Sequence, residues 1–240
     1  MKQNKKQLAF TMVSLGAVLL ALRLRLYTVA VDEKNLLLSG HWLGLVIWAV
    51  AALALVYGVL CALTGKEEGS LCITGPVAAL GDGLFALVLC LCVISMEAPV
   101  SLLEKVRNGV GYLAAAGLLF GAYCRATGKN AFFGCYGAVC VFFVLYLVNI
   151  YRVWSSNPEL MDYAFHLAAC VSLTLLSYQN AALAVGIGSR RVWLVSGLGA
   201  VCFGLGAVYG GSMLLYIGGA GWALTNLIGA EPGTRYEEGV

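Results

Sequence analysis

The stretch Leu55-Val56-Tyr57-Gly58-Val59-Leu60-Cys61-Ala62-Leu63-Thr64-Gly65-Lys66 recurs without a gap, 63 residues on, as Leu118-Leu119-Phe120-Gly121-Ala122-Tyr123-Cys124-Arg125-Ala126-Thr127-Gly128-Lys129. Six of the twelve positions are identical, and Tyr57 stands opposite Phe120. Each copy reads as the last turns of an apolar helix. Gly65 and Gly128 suit the position just past a helix end, where φ is positive, and the lysine that follows complements the negative helix terminus and seats among lipid headgroups. A phosphate-cradling loop is excluded, because the Gly-rich lead-in and the hydroxyl residue after the lysine are missing. Upstream, Ala51-Ala52 matches Ala114-Ala115, and Gly188-Ser189-Arg190-Arg191 gives a fainter basic ending about sixty residues further on. The repeating unit is therefore a two-helix hairpin, out and back, repeated in one orientation. Parallel repeats of this kind differ from the inverted repeats on which many transporters are built.

Working outward from the repeat, the rest of the chain has the same character. Of its 240 residues 61% are hydrophobic and only 11% charged, and the mean hydropathy is +0.87. A soluble globule carries about a quarter charged residues, so the solvent for this surface is lipid. Apolar runs of roughly 17–25 residues, each able to span a hydrocarbon core ~30 Å thick, recur throughout. They predict eight spans at about 7–30, 42–64, 73–95, 106–125, 131–152, 160–187, 191–208 and 211–229. The expected architecture is an all-α, polytopic transmembrane bundle of eight helices in four parallel-repeated hairpins, with residues 1–240 as one integral membrane domain. Met1 to Leu22 has the outline of a signal peptide, but the run leads to Arg23 and Arg25 instead of a small-residue cleavage site, which makes it a first span.

Eight spans place both termini on one side. Nine basic residues fall on that side (Lys2, Lys5, Lys6, Lys66, Arg125, Lys129, Arg190, Arg191, Arg235) and six on the other (Arg23, Arg25, Lys34, Lys105, Arg107, Arg152). The bias of basic residues to the inside predicts cytoplasmic termini. Basic residues are scattered among loops, so no nucleic-acid footprint is expected. The nine cysteines lie in or at the ends of apolar segments with no metal-ligand spacing, so no metal, redox site or cofactor is expected. Pro99 to Val106 and Pro158 to Phe165 look like short amphipathic helices on the outer side.

Two regions could carry chemistry. Asp82 has long apolar sequence on both sides, and an intramembrane carboxylate is costly unless protonated, paired or wetted. It is either a functional group or an interfacial residue that reaches water or Lys66. In the sixth span Tyr163, His166, Cys170, Thr174 and Ser177 share an arc of ~80°, with Asn180 ~40° beyond it. Lipid cannot satisfy such a face, so it turns into the bundle, as packing glue or as a solute path. Gln179 and Ser172 point the other way, as on a helix surrounded by protein. Asp162 precedes His166 by four residues and could pair with it. Asn157 can cap a helix starting near Pro158, and Arg152 is close in sequence to Glu159 and Asp162, so residues 154–163 are expected to form an ordered cover over the outer mouth of this span. Neither GxSxG nor HExxH is present, and no enzyme activity is expected. Small residues at four-residue spacing (Ser196, Ala200, Gly204, then Gly206 and Gly210) permit close helix approach within the chain, or a homo-oligomer or membrane-partner face over residues 191–229.

At Tyr151-Arg152-x-Trp154-Ser155-Ser156-Asn157-Pro158-x-Leu160-x-Asp162-Tyr163-Ala164-Phe165, continuing through the sixth span to Gly188-Ser189-Arg190-Arg191, the chain resembles an uncharacterised family of multi-pass membrane proteins from Firmicutes. The similarity is most specific over residues 141 to 200. It implies a multi-pass protein of a bacterial cytoplasmic membrane and implies no substrate. The expectation is a small permease or channel-like protein for a small solute or ion. The alternative is a non-catalytic membrane partner or sensor subunit acting through helix contacts.

Overall fold

The computed structural model describes residues 5–29, 41–64, 71–73, 75–96, 99, 101–129, 131–154, 160–209 and 212–232. Among them are eight helices: α1 (Lys5–Val29), α2 (Trp42–Thr64), α3 (Pro76–Ser95), α4 (Leu102–Ala126), α5 (Phe133–Trp154), α6 (Leu160–Ala184), α7 (Arg190–Gly206) and α8 (Met213–Gly229). Two three-residue strands, β1 (Leu71–Ile73) and β2 (Ala230–Pro232), flank α3 and α8. The all-α bundle is as expected. The strands are not: residue 73, expected to open the third span, lies in β1, and α3 starts at Pro76.

Apolar composition makes these segments helical in lipid, where every backbone polar group must be satisfied within its own segment. Local signals set the ends. Gly75, at φ 104°, precedes Pro76 at the start of α3, where a missing N–H costs nothing. Ser101 caps α4 reciprocally with Glu104: the Glu104 N–H donates to Ser101 Oγ at 3.3 Å, and the Ser101 N–H donates to the Glu104 carboxylate at 3.1 Å. The segment from Ser101 to Val106 is thus the head of α4 and not a separate surface helix. Gly128, at φ 71°, ends α4, with the Lys129 N–H donating to the Cys124 carbonyl at 2.8 Å. Gly186, at φ 84°, ends α6 the same way, with the Ile187 N–H on the Ala182 carbonyl at 3.0 Å.

Helices α3 to α8 close into a ring in which each packs on its neighbours in sequence and α8 returns to α3. β1 and β2 pair antiparallel, Leu71 opposite Pro232 and Ile73 opposite Ala230, and clip the start of α3 to the end of α8. This puts the start of α3, the end of α4, the start of α5 and the ends of α6 and α8 at one end of the bundle, the terminal end. The hairpin α1–α2 lies outside the ring against α7. Arg23, fully buried in α1, fixes it there. Its guanidinium donates to the carbonyls of Gly206 and Tyr209 and lies 4.9 Å over the Phe165 ring. Carbonyls at a helix end have no intrahelical partner and carry negative charge, which makes them a natural seat for an arginine.

Five helices are long and apolar enough to cross a membrane: Gln7–Val29, Trp42–Thr64, Pro76–Ser95, Phe133–Arg152 and Tyr163–Ala184. The chain is a membrane protein. α8 is apolar but shorter, at 17 residues, and α4 spans 25 residues with charged groups near both ends. The outward surface is aliphatic, as at Leu53, Val56, Leu60 and Leu63 of α2 and Leu84, Leu87 and Leu91 of α3. Inside the ring Phe85 stacks on Trp222 at 5.1 Å and on Phe143 at 6.2 Å, and Phe142 meets Phe143 edge-on at 5.5 Å.

Candidate functional site

Asp82 lies six residues into α3, about 9 Å along the helix, and is wholly buried. Among the described residues its charged partner is Arg125 of α4; Lys66 lies outside them. Arg125 Nη1 is 3.0 Å from Asp82 Oδ1. The Trp222 indole N–H from α8 donates to the same oxygen at 2.7 Å, and the Tyr136 hydroxyl from α5 donates to Oδ2 at 2.9 Å. Arg125 Nη1 also donates to Asn226 Oδ1 at 2.8 Å, while the Asn226 amide donates back along α8 to the Trp222 carbonyl at 2.8 Å. The guanidinium carbon sits 4.8 Å over the Tyr136 ring. Four helices thus supply one polar knot, with the carboxylate taking three donors, as a buried charge requires. The knot also explains a close approach: a side chain at Gly121 would meet Tyr136 Oη at 3.1 Å and Asp82 Oδ2 at 3.5 Å.

The described hydrogen bonds of Arg125 all leave from Nη1. Its other donors remain for whatever fills the cavity that Arg125 lines. This vestibule, about 340 Å³, lies at the terminal end between β1, the end of α4, the start of α5 and the end of α6. Leu71, Ile73, Ala131, Leu183 and Val185 make its apolar wall, and Arg125, Lys129, Tyr136 and Asn180 its polar part. The two glycine-terminated helix ends at Gly128 and Gly186 frame it, turning the chain away and leaving Lys129 on the rim.

The polar face of α6 is distributed along this interior. Cys170, Ser177 and Asn180 are buried and Thr174 is half-buried. Most of the face is satisfied locally. The Thr174 hydroxyl donates to the Cys170 carbonyl at 2.7 Å, and the Ser177 hydroxyl to the carbonyls of Leu173 at 2.8 Å and Thr174 at 2.9 Å. Cys170 Sγ is 3.5 Å from the Tyr216 hydroxyl. Asn180 differs. Its Oδ1 accepts from the Trp193 indole N–H at 2.8 Å, while Nδ2 is buried with no hydrogen-bond partner. An unsatisfied buried donor costs about 1–3 kcal/mol. Gln179, on the opposite side, accepts from the Ser189 N–H at 3.0 Å and so ties α6 to the head of α7.

The remaining candidates lie toward the opposite end. His166 is 2% exposed and faces protein, 5.0 Å from the Tyr216 ring. Tyr163 is half-buried, 6.5 Å from the Tyr151 ring, and Arg152 is exposed. The side chain of Asp162 and residues 155–159 lie outside the described residues, and with them the proposed Asp162–His166 pair and most of the cover over the outer mouth. The structure therefore brings Asp82 and Asn180 to one end and Tyr163 and His166 to the other, with Ser177 between. Sequence reasoning missed Arg125, Tyr136, Trp222 and Asn226 as partners of Asp82. No group of three or more His, Cys, Asp or Glu able to hold a metal occurs among the described residues. Glycines of α7 and α8 serve internal packing: added Cβ atoms at Gly197, Gly204 and Gly219 would meet Leu227, Ala220 and Leu173. No family model, curated protein or solved structure matches the chain.

Proposed function

We propose that this chain is a small permease of a bacterial cytoplasmic membrane, crossing it eight times with both termini in the cytoplasm, and that a small solute enters from the terminal end. The observation that carries the reading is the vestibule of about 340 Å³ lined by a guanidinium that rests on the Tyr136 ring and whose described hydrogen bonds, to Asp82 and Asn226, all leave from one nitrogen. A buried ion pair used purely for packing gains little over apolar side chains of the same volume; one that presents unused donors to a cavity does something apolar packing cannot. Below the guanidinium the Phe85, Phe142, Phe143 and Trp222 rings close the interior toward the other end. A site open to one side and shut to the other is what one state of an alternating-access carrier needs. The nine-to-six basic bias supports a cytoplasmic terminal end.

Two experiments test this reading. Reporters or thiol labels at Ser70 and Ser156 should fall on opposite sides of the membrane; finding them on one side ends the eight-crossing arrangement. Purified protein in liposomes should catalyse saturable uptake of at least one member of a panel of labelled small organic acids, amines and amino acids, and Asp82→Asn should abolish it while the protein stays folded and inserted. Uptake no faster than in protein-free liposomes across the panel would overturn the permease and favour the partner-subunit reading through residues 191–229.

A further inference from the structure

The lining of the vestibule names a ligand class. Trp193 Nε1 can only donate, so the Asn180 side chain must turn its oxygen to it, at 2.8 Å, and its NH₂ the other way. That Nδ2 is left buried and unpartnered on a residue lining the cavity. Beside it, Arg125 keeps the donors not used by Asp82 and Asn226, and Lys129 adds an ammonium at the rim. Among the described residues of the lining, charged side-chain acceptors are missing. Both Asp82 oxygens are engaged, by Arg125, Trp222 and Tyr136, and no acidic side chain is among the described residues that line the cavity. Among the described residues Asp82 offsets the charge of Arg125, which leaves the positive charge of Lys129.

Resting on the reading of the vestibule as the ligand entrance, we infer that it binds a small monoanion through anionic oxygens, held by Arg125 and Asn180, with an apolar body against Leu71, Ile73 and Leu183. A volume of about 340 Å³ lies at the small end for ligand sites, which suits a short-chain carboxylate. The headgroup of an anionic phospholipid such as phosphatidylglycerol presents the same oxygens with a net negative charge, so the source must be separated by experiment.

The test uses the full chain in nanodiscs, with butyrate as the probe and butylammonium as its charge-reversed control, measured by calorimetric titration. Butyrate should bind and butylammonium should not. Asn180→Asp keeps the acceptor for Trp193 but replaces the free donor by a carboxylate, and should weaken butyrate at least about tenfold, the scale of one hydrogen bond to a charged group. Lys129→Glu, at an exposed position, should weaken it by about fivefold or more and flatten its salt dependence. Equal binding in phosphatidylcholine and phosphatidylglycerol discs identifies a free solute; butyrate binding suppressed in phosphatidylglycerol identifies the headgroup. Both uphold the oxyanion site. No preference for butyrate over butylammonium, or unchanged affinity in a folded Asn180→Asp protein, overturns it. Butyrate binding without flux removes only the permease; flux of a cation without butyrate binding removes only the anion.

Discussion

The ends of α2 and α4 carry nearly the same sequence and have different fates. Both approach a neighbour at a glycine. At Gly58 an added methyl would meet the flexible end of Met12, at 3.2 Å; at Gly121 it would meet the Tyr136 hydroxyl, at 3.1 Å. Cys61 and Cys124 are both buried, and so are Ala62 and Arg125 at the next position. The repeat therefore reproduces a helix end and its burial, while a single position decides its chemistry. In α2, docked outside the ring, that position is a methyl in an apolar seam. In α4, inside the ring, it is the guanidinium that joins α3, α5 and α8 around Asp82. An arginine at this depth is tolerable because α3 presents a carboxylate to it and because the helix end is negative.

The largest expected effect comes from removing what distinguishes the copies. Arg125→Ala leaves a buried carboxylate without its cation and should destabilise the protein by about 3–5 kcal/mol, measured by unfolding in mixed micelles of sodium dodecyl sulfate. Arg125→Leu combined with Asp82→Asn should recover most of that loss, since apolar groups often replace a buried pair at little cost. A loss below about 1 kcal/mol for Arg125→Ala, the scale of an exposed pair, would make the end of α4 as passive as that of α2. Trp222→Phe retains the stack on Phe85 but removes the indole donor to Asp82, and should cost about 1–3 kcal/mol in the same assay. The paired glycine replacements give the smallest effect. Gly58→Ala should be neutral or stabilising by about 0.5–1 kcal/mol, because Met12 can move and alanine favours the helix. Gly121→Ala should instead cost about 1 kcal/mol by displacing the Tyr136 hydroxyl from Asp82.

Much of the fold was legible because lipid-spanning helices announce themselves by length and apolarity, and the basic Thr-Gly-Lys endings mark where they stop. Ring closure was not, because the contact of α3 with α8, as between Asp82 and Trp222, joins residues 140 apart in sequence, the pairing of Leu71 with Pro232 joins residues still further apart, and neither leaves a local pattern. Asp82 stood out by its apolar flanks. Arg125 did not, because it sits two residues before Thr127-Gly128-Lys129 and reads as one more basic residue at a helix end. The repeat contained the signal: Arg125 falls where its twin has Ala62, a change that burial makes meaningful. Tyr136, Trp222 and Asn226 look like packing residues of apolar helices until the carboxylate is placed among them. The face of α6 was identified correctly, but sequence could not show that Thr174 and Ser177 spend their hydroxyls on their own helix whereas Asn180 keeps a donor unused.

The most direct test of the vestibule as a ligand site open to one side is thiol labelling at Ala131, a partly exposed residue of its wall. A protein carrying Ala131→Cys, in sealed vesicles of known orientation, should react with a membrane-impermeant maleimide only from the side on which Ser70 is labelled, and butyrate should slow the reaction. Labelling from the side of Ser156, or a rate indifferent to butyrate, would contradict the account.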